Sequence, residues 1–312
     1  MSRVGACSGQ RVAILGPGRL GFTLAVRYAE LGAEVHLFGH REGSWQSMAE
    51  ALGILCTVAP SPCEIPALSG LDLFVFCVPD DALPVCAQEW AQANAALAPP
   101  RLVLHSCGAA DLDVLQPWQG SLRAATHPMR VITGLALLGA PASGVESVHE
   151  LDAAPVSVLG SDEEATELAC AQVEAWGAEA IAFESSADRR RYHLACCLAA
   201  NHLTALLAWA EELAGPALGS SAARRALVSL AASALQRVHE QGPVCALTGP
   251  VSRGDAVTIQ GHLDALSATE AKRYRALLPE LLGLARASGG LSDARARELE
   301  SQFDLGSSQR GK

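Results

Sequence analysis

The sequence predicts an α/β protein, with a doubly wound parallel sheet in its N-terminal part and an all-α C-terminal part. Short apolar runs alternate with helical patterns over the first 184 residues, which is typical of a parallel sheet covered by helices. Beyond that point the pattern is helical throughout. The expected division is a sheet domain at 1–184, in which 151–184 extends the sheet, a helical domain at 185–305 and a disordered tail at 306–312.

The stretch RVAILGPGRLG near the N-terminus is the first of the observations behind this prediction. An apolar run ends at three glycines with G-x-G-x-x-G spacing, Gly16, Gly18 and Gly21, and a helical pattern follows at once. Gly16 allows the tight turn, Gly18 lets a diphosphate approach the backbone, and Gly21 lets helix and strand pack closely. The diphosphate would lie at the helix N-terminus, which favours an anion. The sequence therefore predicts a dinucleotide site, and the alternative is a glycine-rich turn without a ligand.

The end of the second predicted strand, AEVHLFGHR, bears on which dinucleotide binds. In this fold an Asp or Glu about 20 positions beyond the glycines binds the 2′-hydroxyl of NAD. This sequence has Gly39, His40 and Arg41 there. Arg41 can hold a 2′-phosphate through paired charge-assisted hydrogen bonds, unless it is only a solvated loop residue. We therefore expect NADP(H) rather than NAD or FAD.

Other strands of the predicted sheet also end in candidate ligand contacts, because ligands bind beside the C-terminal ends of the strands in a doubly wound sheet. LDLFVFCVP ends at Pro79, RLVLHSC at Cys107, and SLRAATHPM contains His127. His105 and His127 either bind substrate or are ordinary polar residues, and Cys107 has no partner for nucleophilic chemistry that the sequence identifies. The predicted cofactor contacts are Gly16, Gly18, Arg19, Leu20, Gly21, His40, Arg41, Val78, Pro79 and Ser106.

A second group of polar residues lies on a long predicted helix, ADRRRYHLACCLAANHLTALLAWAEELAG. His193, Cys197 and Asn201 have i, i+4, i+8 spacing, which places them on one face of a regular helix. Each could instead be a core residue. We predict that His193 donates a proton, with His127 as the second choice, and that Asn201 fixes the substrate. The helix is expected to be buried in the core and to end at its Gly-Pro pair.

The later segment TGPVSRGD combines flexible and stiff positions before a further helix. Arg253 is the candidate to bind a substrate carboxylate or a cofactor phosphate. Asp255 is either the N-cap of that helix or a substrate contact. Gly249 and Pro250 complete the predicted substrate-binding group.

Composition excludes several classes of protein. The net charge of −10 argues against a nucleic-acid surface. The N-terminus has no apolar core like that of a signal peptide, and the longest apolar stretch falls short of the ~20 residues that a bilayer span needs. The ten cysteines match neither a zinc ribbon nor a redox C-x-x-C pair. We expect a cytoplasmic protein without a metal site or a membrane anchor.

Four motifs together resemble the Rossmann-like, DUF2520 family of NADP oxidoreductases. They are GPGRLG at 16–21, HPM at 127–129, YHLACCLAAN at 192–201 and LTGPVSRGD with the trailing His262. This family is similar to pyrroline-5-carboxylate reductase, to the F420-dependent NADP reductases and to the 6-phosphogluconate dehydrogenase superfamily. The resemblance implies a Rossmann NADP-binding domain and a helical substrate domain that often forms a homodimer.

One departure limits the chemistry that the resemblance implies. Hydroxyacid dehydrogenases of this superfamily have a catalytic lysine four residues before an Asn, where this chain has Cys197. The chain contains only two lysines, Lys272 and Lys312, so a lysine acid at that position is excluded.

We therefore expect an NADPH-dependent oxidoreductase that reduces a small imine or carbonyl substrate, with a slight preference for imines. The alternatives are hydride transfer between F420 and NADP and a non-catalytic protein that senses NADP or binds a partner.

Overall fold

A computed structural model describes residues 7–59, 70–134 and 150–305. The chain divides into two compact units, Met1–Leu203 and Thr204–Lys312. The division falls within a helical run, and the predicted domain boundary at residue 184 stays a prediction.

The first unit contains a single eight-stranded sheet. Its strands are β1 (Arg11–Leu15), β2 (Glu34–Gly39), β3 (Leu55–Val58), β4 (Leu73–Phe76), β5 (Leu102–His105), β6 (Leu122–Pro128), β7 (Pro155–Gly160) and β8 (Glu179–Ala182). Their order across the sheet is β3-β2-β1-β4-β5-β6-β7-β8. All neighbouring pairs are parallel except β6 and β7. The predicted α/β fold is confirmed, and β7 and β8, which lie within 151–184, belong to the same sheet.

Ten α-helices are described. They are α1 (Arg19–Glu30), α2 (Ser44–Ala51), α3 (Leu83–Ala93), α4 (Glu163–Ala175), α5 (Ser186–Cys197), α6 (Leu203–Leu218), α7 (Ser220–Ala246), α8 (Ala256–Asp264), α9 (Ala268–Ala287) and α10 (Asp293–Gln302). A π-helical turn, Leu198–His202, joins α5 to α6. Short 3₁₀ helices occupy Leu112–Leu115 and Val251–Arg253.

Alternation along the strands builds an apolar cluster on each face of the sheet. On β1, Val12 and Ile14 belong to one cluster while Ala13 and Leu15 belong to the other, because successive side chains of a strand point to opposite faces. One cluster includes buried residues of α1 and α4, and the other includes Trp90 of α3. The chain order reverses between β1 and β4, which makes their C-terminal ends a switch point where ligands bind.

The second unit has a core of its own. Ile259 of α8, Leu278 and Leu282 of α9 and Leu299 of α10 are almost fully buried in it. Among the described residues, α6 has no buried side chain, and Ala223 is the buried residue of α7.

The long helix differs from its prediction in three ways. It is interrupted by the π-helical turn, and it continues through Pro216 to Leu218. The loss of one main-chain hydrogen bond at Pro216 is tolerated, and the helix ends before Gly219, whose φ is 77°. None of its most apolar window is buried, so the expectation of a buried core helix was wrong. By length and composition alone, Ser186–Leu218 is also the one helix in the described ranges that could span a membrane.

The two other helices at the edges of the second unit have clear boundaries. The helix α7 breaks at Gly242, with φ 75° and ψ 160°, before a short continuation. The helix α10 is short and polar and begins at the Ser292 N-cap.

Candidate active site

The turn after β1 has the glycine geometry that the sequence predicts. Gly16 has a φ of 105°, in the left-handed region that favours glycine. A Cβ on Gly16 would overlap the carbonyl oxygen of Cys77, and one on Gly21 would overlap the carbonyl oxygen of Gly16. The turn and the close packing of α1 on the strands therefore both require glycine.

Gly18 differs from these two because it is exposed and borders open space. A Cβ placed there would have no heavy atom within 4 Å. Gly18 is also the N-cap of α1, and no side chain caps that helix. Uncapped N–H groups at an open glycine turn form the arrangement that binds a diphosphate, so the turn fits a dinucleotide. Arg19 is exposed beside it, whereas Leu20 packs partly against the core.

The loops after β2 and β4 begin at the same edge of the sheet as the glycine turn. Leu15 of β1 pairs with Phe38 of β2 on one side and with Phe76 of β4 on the other. The residues predicted to contact the cofactor from these loops are His40 and Arg41, which are exposed, Val78, which is half-buried, and Pro79, which is exposed.

Two histidines from distant parts of the sequence meet beside the C-terminal end of β6. Nδ1 of His193, on α5, lies 3.3 Å from Nε2 of His127, on β6. The rings stand edge to face with their centroids 4.8 Å apart. One turn further along α5, Sγ of Cys197 lies 3.6 Å from Nε2 of His193. The three side chains form a continuous line, which we call the histidine line.

The direction of hydrogen bonding in the histidine line follows from its inner end. Nδ1 of His127 lies 3.4 Å from the carbonyl oxygen of Ser106, which can only accept a hydrogen bond. We therefore assign the His127 proton to Nδ1, so that Nε2 accepts from the Nδ1–H of His193. Nε2 of His193 then accepts from the thiol of Cys197. In this uncharged form Nε2 is the basic atom of His193.

Local electrostatics keep His127 uncharged. Burial lowers the pKa of His127 to about 4, and the charges of His193 and Arg189 act in the same direction. The hydrogen bond to the Ser106 carbonyl and, more weakly, the charge of Asp80 raise this pKa and oppose them. At neutral pH His127 therefore accepts a hydrogen bond from His193 at Nε2 and does not carry the second proton that an acid would deliver.

Arg189 joins α5 to the strand ends beneath the histidine line. Its side chain is only 2% exposed, and it donates hydrogen bonds to the carbonyl oxygens of Ala110 at 2.7 Å, of Cys107 and of Thr126 at 3.5 Å. No role for Arg189 was predicted from the sequence. The available signal was its place four residues before His193, on the same face of the helix.

Gly108 lies directly against the His193 ring. A Cβ on Gly108 would overlap Nδ1 of His193. The loop after β5 therefore fixes the ring from one side, and only glycine leaves it the space that it occupies.

Three neighbouring residues turn inward rather than towards a ligand. His105 is fully buried, so it is not a substrate contact. The hydroxyl of Ser106, predicted to bind the cofactor, is buried and lies 3.3 Å from the hydroxyl of Thr126. Burial raises the pKa of the Cys107 thiol, with Asp80 acting in the same direction, so Cys107 is not a thiolate nucleophile at neutral pH.

Asn201 does not continue the line from His193 through Cys197. Five residues, Leu198–His202, form a π-helical turn, whose i→i+5 hydrogen bonds accommodate an extra residue. The i, i+4, i+8 alignment holds only in a regular α-helix, and the side chain of Asn201 is exposed at the end of this turn.

The predicted substrate segment lies in the second unit. Asp255 is the N-cap of α8, and its carboxylate accepts from the backbone N–H and the hydroxyl of Thr258 at 3.0 and 2.7 Å. The capping interpretation is therefore confirmed. Arg253 is exposed, whereas Gly249 and Pro250 are half-buried. The guanidinium of Arg295 on α10 donates to the carbonyl oxygen of Gly254 at 2.8 Å and so holds the turn.

Two families match successive parts of the chain. Residues 6–128 match the Rossmann-like domain, and residues 154–280 match a domain of unknown function, DUF2520. The chain therefore contains a Rossmann-like domain followed by a DUF2520 domain. The resemblance drawn from the four sequence motifs is thereby confirmed.

Solved structures share the fold of this Rossmann-like, DUF2520 chain. A proposed NADP oxidoreductase from Bacteroides fragilis has a TM-score of 0.70 at 20% identity, over 88% of this chain and 98% of the other. An imine reductase from Aspergillus terreus has a TM-score of 0.58 at 18% identity, over 93% and 99%. A pyrroline carboxylate reductase from Plasmodium falciparum has a TM-score of 0.53 at 10% identity, over 94% and 98%. No curated protein matches the sequence.

Proposed function

We propose that the protein is an NADPH-dependent oxidoreductase that reduces a small imine or carbonyl substrate. The observation that carries this proposal is the presence of two features at one edge of the same sheet. One is a glycine turn that fits a dinucleotide, and the other is a pair of histidines with an assigned hydrogen-bond direction. A glycine-rich turn that binds no ligand would not need a pair of histidines beside it.

The cofactor assignment has support from the loop after β2 and from the shared fold. Arg41 is exposed at the position where NAD-specific proteins carry an acidic residue. The Plasmodium falciparum reductase has NADP bound, and the Aspergillus terreus imine reductase is in complex with NADPH4. The protein binds NADP(H) through the glycine turn, with Arg41 on the 2′-phosphate.

Proton delivery is the task of His193. When bound, NADPH supplies the hydride for the reduction. His193 takes up a proton at Nε2 and becomes an imidazolium, while its Nδ1–H stays bonded to Nε2 of His127. The Nε2 proton passes to the substrate nitrogen or oxygen, and His193 returns to the uncharged form. His127 orients the ring throughout, because its low pKa keeps it an acceptor.

An imine is the favoured substrate class. A protonated imine already carries a positive charge and needs less assistance from an acid than a carbonyl does. The chain has two lysines in all, and neither lies where related hydroxyacid dehydrogenases place their acid. Once His193 has passed its Nε2 proton to the nitrogen of the neutral imine, both histidines are uncharged and do not repel the iminium that forms.

Arg253 is the proposed anion-binding residue for the substrate, and Asn201 the proposed hydrogen-bonding residue. Both side chains are exposed. The test is the effect of Arg253→Ala on KM with kcat unchanged, because loss of uniform binding raises KM alone. The rise in KM should be larger for acidic substrates than for uncharged ones. If Arg253→Ala and the parent protein have the same KM for both kinds of substrate, the assignment is removed.

The proposed assembly is a cytoplasmic homodimer formed through the helical unit. Large apolar side chains of α6 and α7 are exposed in the single chain, and exposed apolar surface of this kind marks an interface. They are Leu206, Leu213, Leu218, Val228, Leu230, Leu235 and Val238.

Light scattering on Leu230→Glu should show a monomer. Leu55→Glu, equally exposed at 65% but on β3, is the control and should stay dimeric. Vesicle binding by a monomeric parent protein would instead indicate a membrane surface.

The activity test is NADPH oxidation with a panel of small cyclic imines and ketones. We expect turnover with at least one imine, and a fall of about 10²–10⁴-fold in kcat for His193→Ala. Turnover with F420 in place of these substrates would indicate hydride transfer between F420 and NADP. Tight NADPH binding without oxidation in any assay would indicate a sensor.

A further inference from the structure

The loop that carries His40 and Arg41 is folded around one indole ring. Trp45, in the first turn of α2, is 7% exposed. A Cβ on Gly39 would overlap Cζ2 of this indole and would lie 2.9 Å from Cγ of Pro17 in the glycine turn. The indole therefore packs directly on the last residue of β2, and Gly39 also lies against the glycine turn.

Hydrogen bonds fix the rest of this loop. The indole N–H of Trp45 donates to the carbonyl oxygen of Arg41 at 3.2 Å. At the end of the loop, the backbone N–H of Gly43 donates to Oε1 of Gln46 at 2.9 Å. The backbone at Arg41 is thus held from α2, while the Arg41 side chain is exposed.

We propose that Trp45 is a positioning residue for NADP(H) selectivity, acting through Arg41. The inference rests on the proposed function, in which Arg41 binds the 2′-phosphate. A guanidinium binds phosphate strongly only when its planar fork is correctly oriented. An arginine on a loop without a fixed backbone would first have to be ordered, at a cost in affinity. Trp45 meets that requirement before the nucleotide binds.

A purely structural role for Trp45 makes a different prediction. If the indole only filled space, its alteration would weaken all nucleotides alike or lower the stability of the domain. A positioning role acts only on ligands that carry the 2′-phosphate. The ratio of NADPH to NADH affinity therefore separates the two roles.

The experiment measures the Kd of NADPH, NADH, 2′,5′-ADP and 5′-ADP by calorimetry on the full chain. Trp45→Phe keeps an aromatic ring but removes the N–H that donates to Arg41. We expect the affinity for NADPH and 2′,5′-ADP to fall about threefold to tenfold, the effect of one hydrogen bond. The affinity for NADH and 5′-ADP should change less than about twofold. Gly39→Ala, which displaces the indole, should shift the ratio in the same direction.

Two controls isolate the route through Arg41. Trp118→Phe makes the same chemical change at a residue that is 4% exposed and packs on Phe74 and Phe76, so it should leave the affinity ratio unchanged. Arg41→Ala should remove the preference for NADPH. In that background Trp45→Phe should have no further effect on the ratio, because non-additivity marks two residues that act together.

Three outcomes would overturn the inference. They are an unchanged ratio in Trp45→Phe, an equal loss for all four ligands, and a persistent effect of Trp45→Phe in the Arg41→Ala background. Failure of the proposed function is distinguishable, since the parent protein would then bind neither NADPH nor 2′,5′-ADP, or would show no preference for them.

Discussion

His127 and His193 are 66 positions apart in the sequence, yet Nε2 of the first and Nδ1 of the second lie 3.3 Å apart. The contact joins β6 to α5, which follows the last strand of the sheet, β8. Because the carbonyl oxygen of Ser106 can only accept, the direction of the hydrogen bond between the two rings is assigned, and His193 is left with its Nε2 as the basic atom.

Loss of the His193 ring should abolish most of the activity without loss of the cofactor. His193→Ala is expected to lower kcat by about 10²–10⁴-fold, with the Kd of NADPH within about twofold of the parent value, a difference that is small in free energy. Steady-state kinetics and calorimetry measure the two quantities. His239→Ala, at an exposed position on α7, is the control, and full turnover in His193→Ala would remove the assignment.

A methyl group at Gly108 should displace the His193 ring. Because a Cβ there overlaps Nδ1 of His193, Gly108→Ala is expected to lower kcat by about 10-fold or more, since small displacements of a catalytic group are costly. The Kd of NADPH should be unchanged. Gly261→Ala is the matched control, because a Cβ on Gly261 meets no atom within 4 Å. Equal kcat values for the two variants would contradict the prediction.

Replacement of Arg189 should destabilise the protein far more than replacement of its neighbour. Arg189→Met leaves the carbonyl oxygens of Cys107 and Ala110 without their donor, and we expect the free energy of unfolding to fall by roughly 2–5 kcal/mol. Arg190 forms an exposed ion pair with Asp111 at 2.7 Å, so Arg190→Met should cost less than about 1 kcal/mol. Denaturant unfolding measures both, and similar losses would refute the role given to Arg189.

Acid should destabilise the protein below about pH 6.5, the ordinary pKa of histidine. Burial lowers the pKa of His105 to about 3, with Arg189 acting in the same direction, and lowers that of His127 to about 4. The unfolded chain therefore binds protons first as the pH falls, and stability is lost from pH 6.5 down towards 4. Each ring contributes a slope of about 1.4 kcal/mol per pH unit.

The variant His105→Leu tests this pH dependence. The ring of His105 is fully buried, and leucine is an apolar side chain of similar size that cannot take up a proton. The variant should show a smaller loss of unfolding free energy between pH 6.5 and 5 than the parent protein. An identical pH profile would show that His105 is not responsible.

The parts of the site that the sequence predicts are local. The strand, the three glycines and α1 follow each other without a gap, so the turn at Gly16 could be predicted from spacing alone. The Asp255 N-cap is also local, because its carboxylate accepts hydrogen bonds from Thr258, three residues further along the chain. The exposed loop with Arg41 could be placed because the strand before it has a fixed position in this fold.

The parts that the sequence does not predict depend on distant contacts. Arg189 donates to main-chain carbonyls 79 and 82 positions away, and main-chain acceptors leave no trace in a residue pattern. A π-helical turn takes Asn201 off the line of His193 and Cys197. No residue type in its sequence, LAANH, indicates such a turn. The exposure of α6 was mispredicted because apolar composition does not distinguish a core helix from an unpartnered one.

The two outer strands of the sheet, β3 and β8, are each four residues long. Short edge strands offer few free N–H and C=O groups to a strand of another molecule, so the sheet resists growth by β-strand addition.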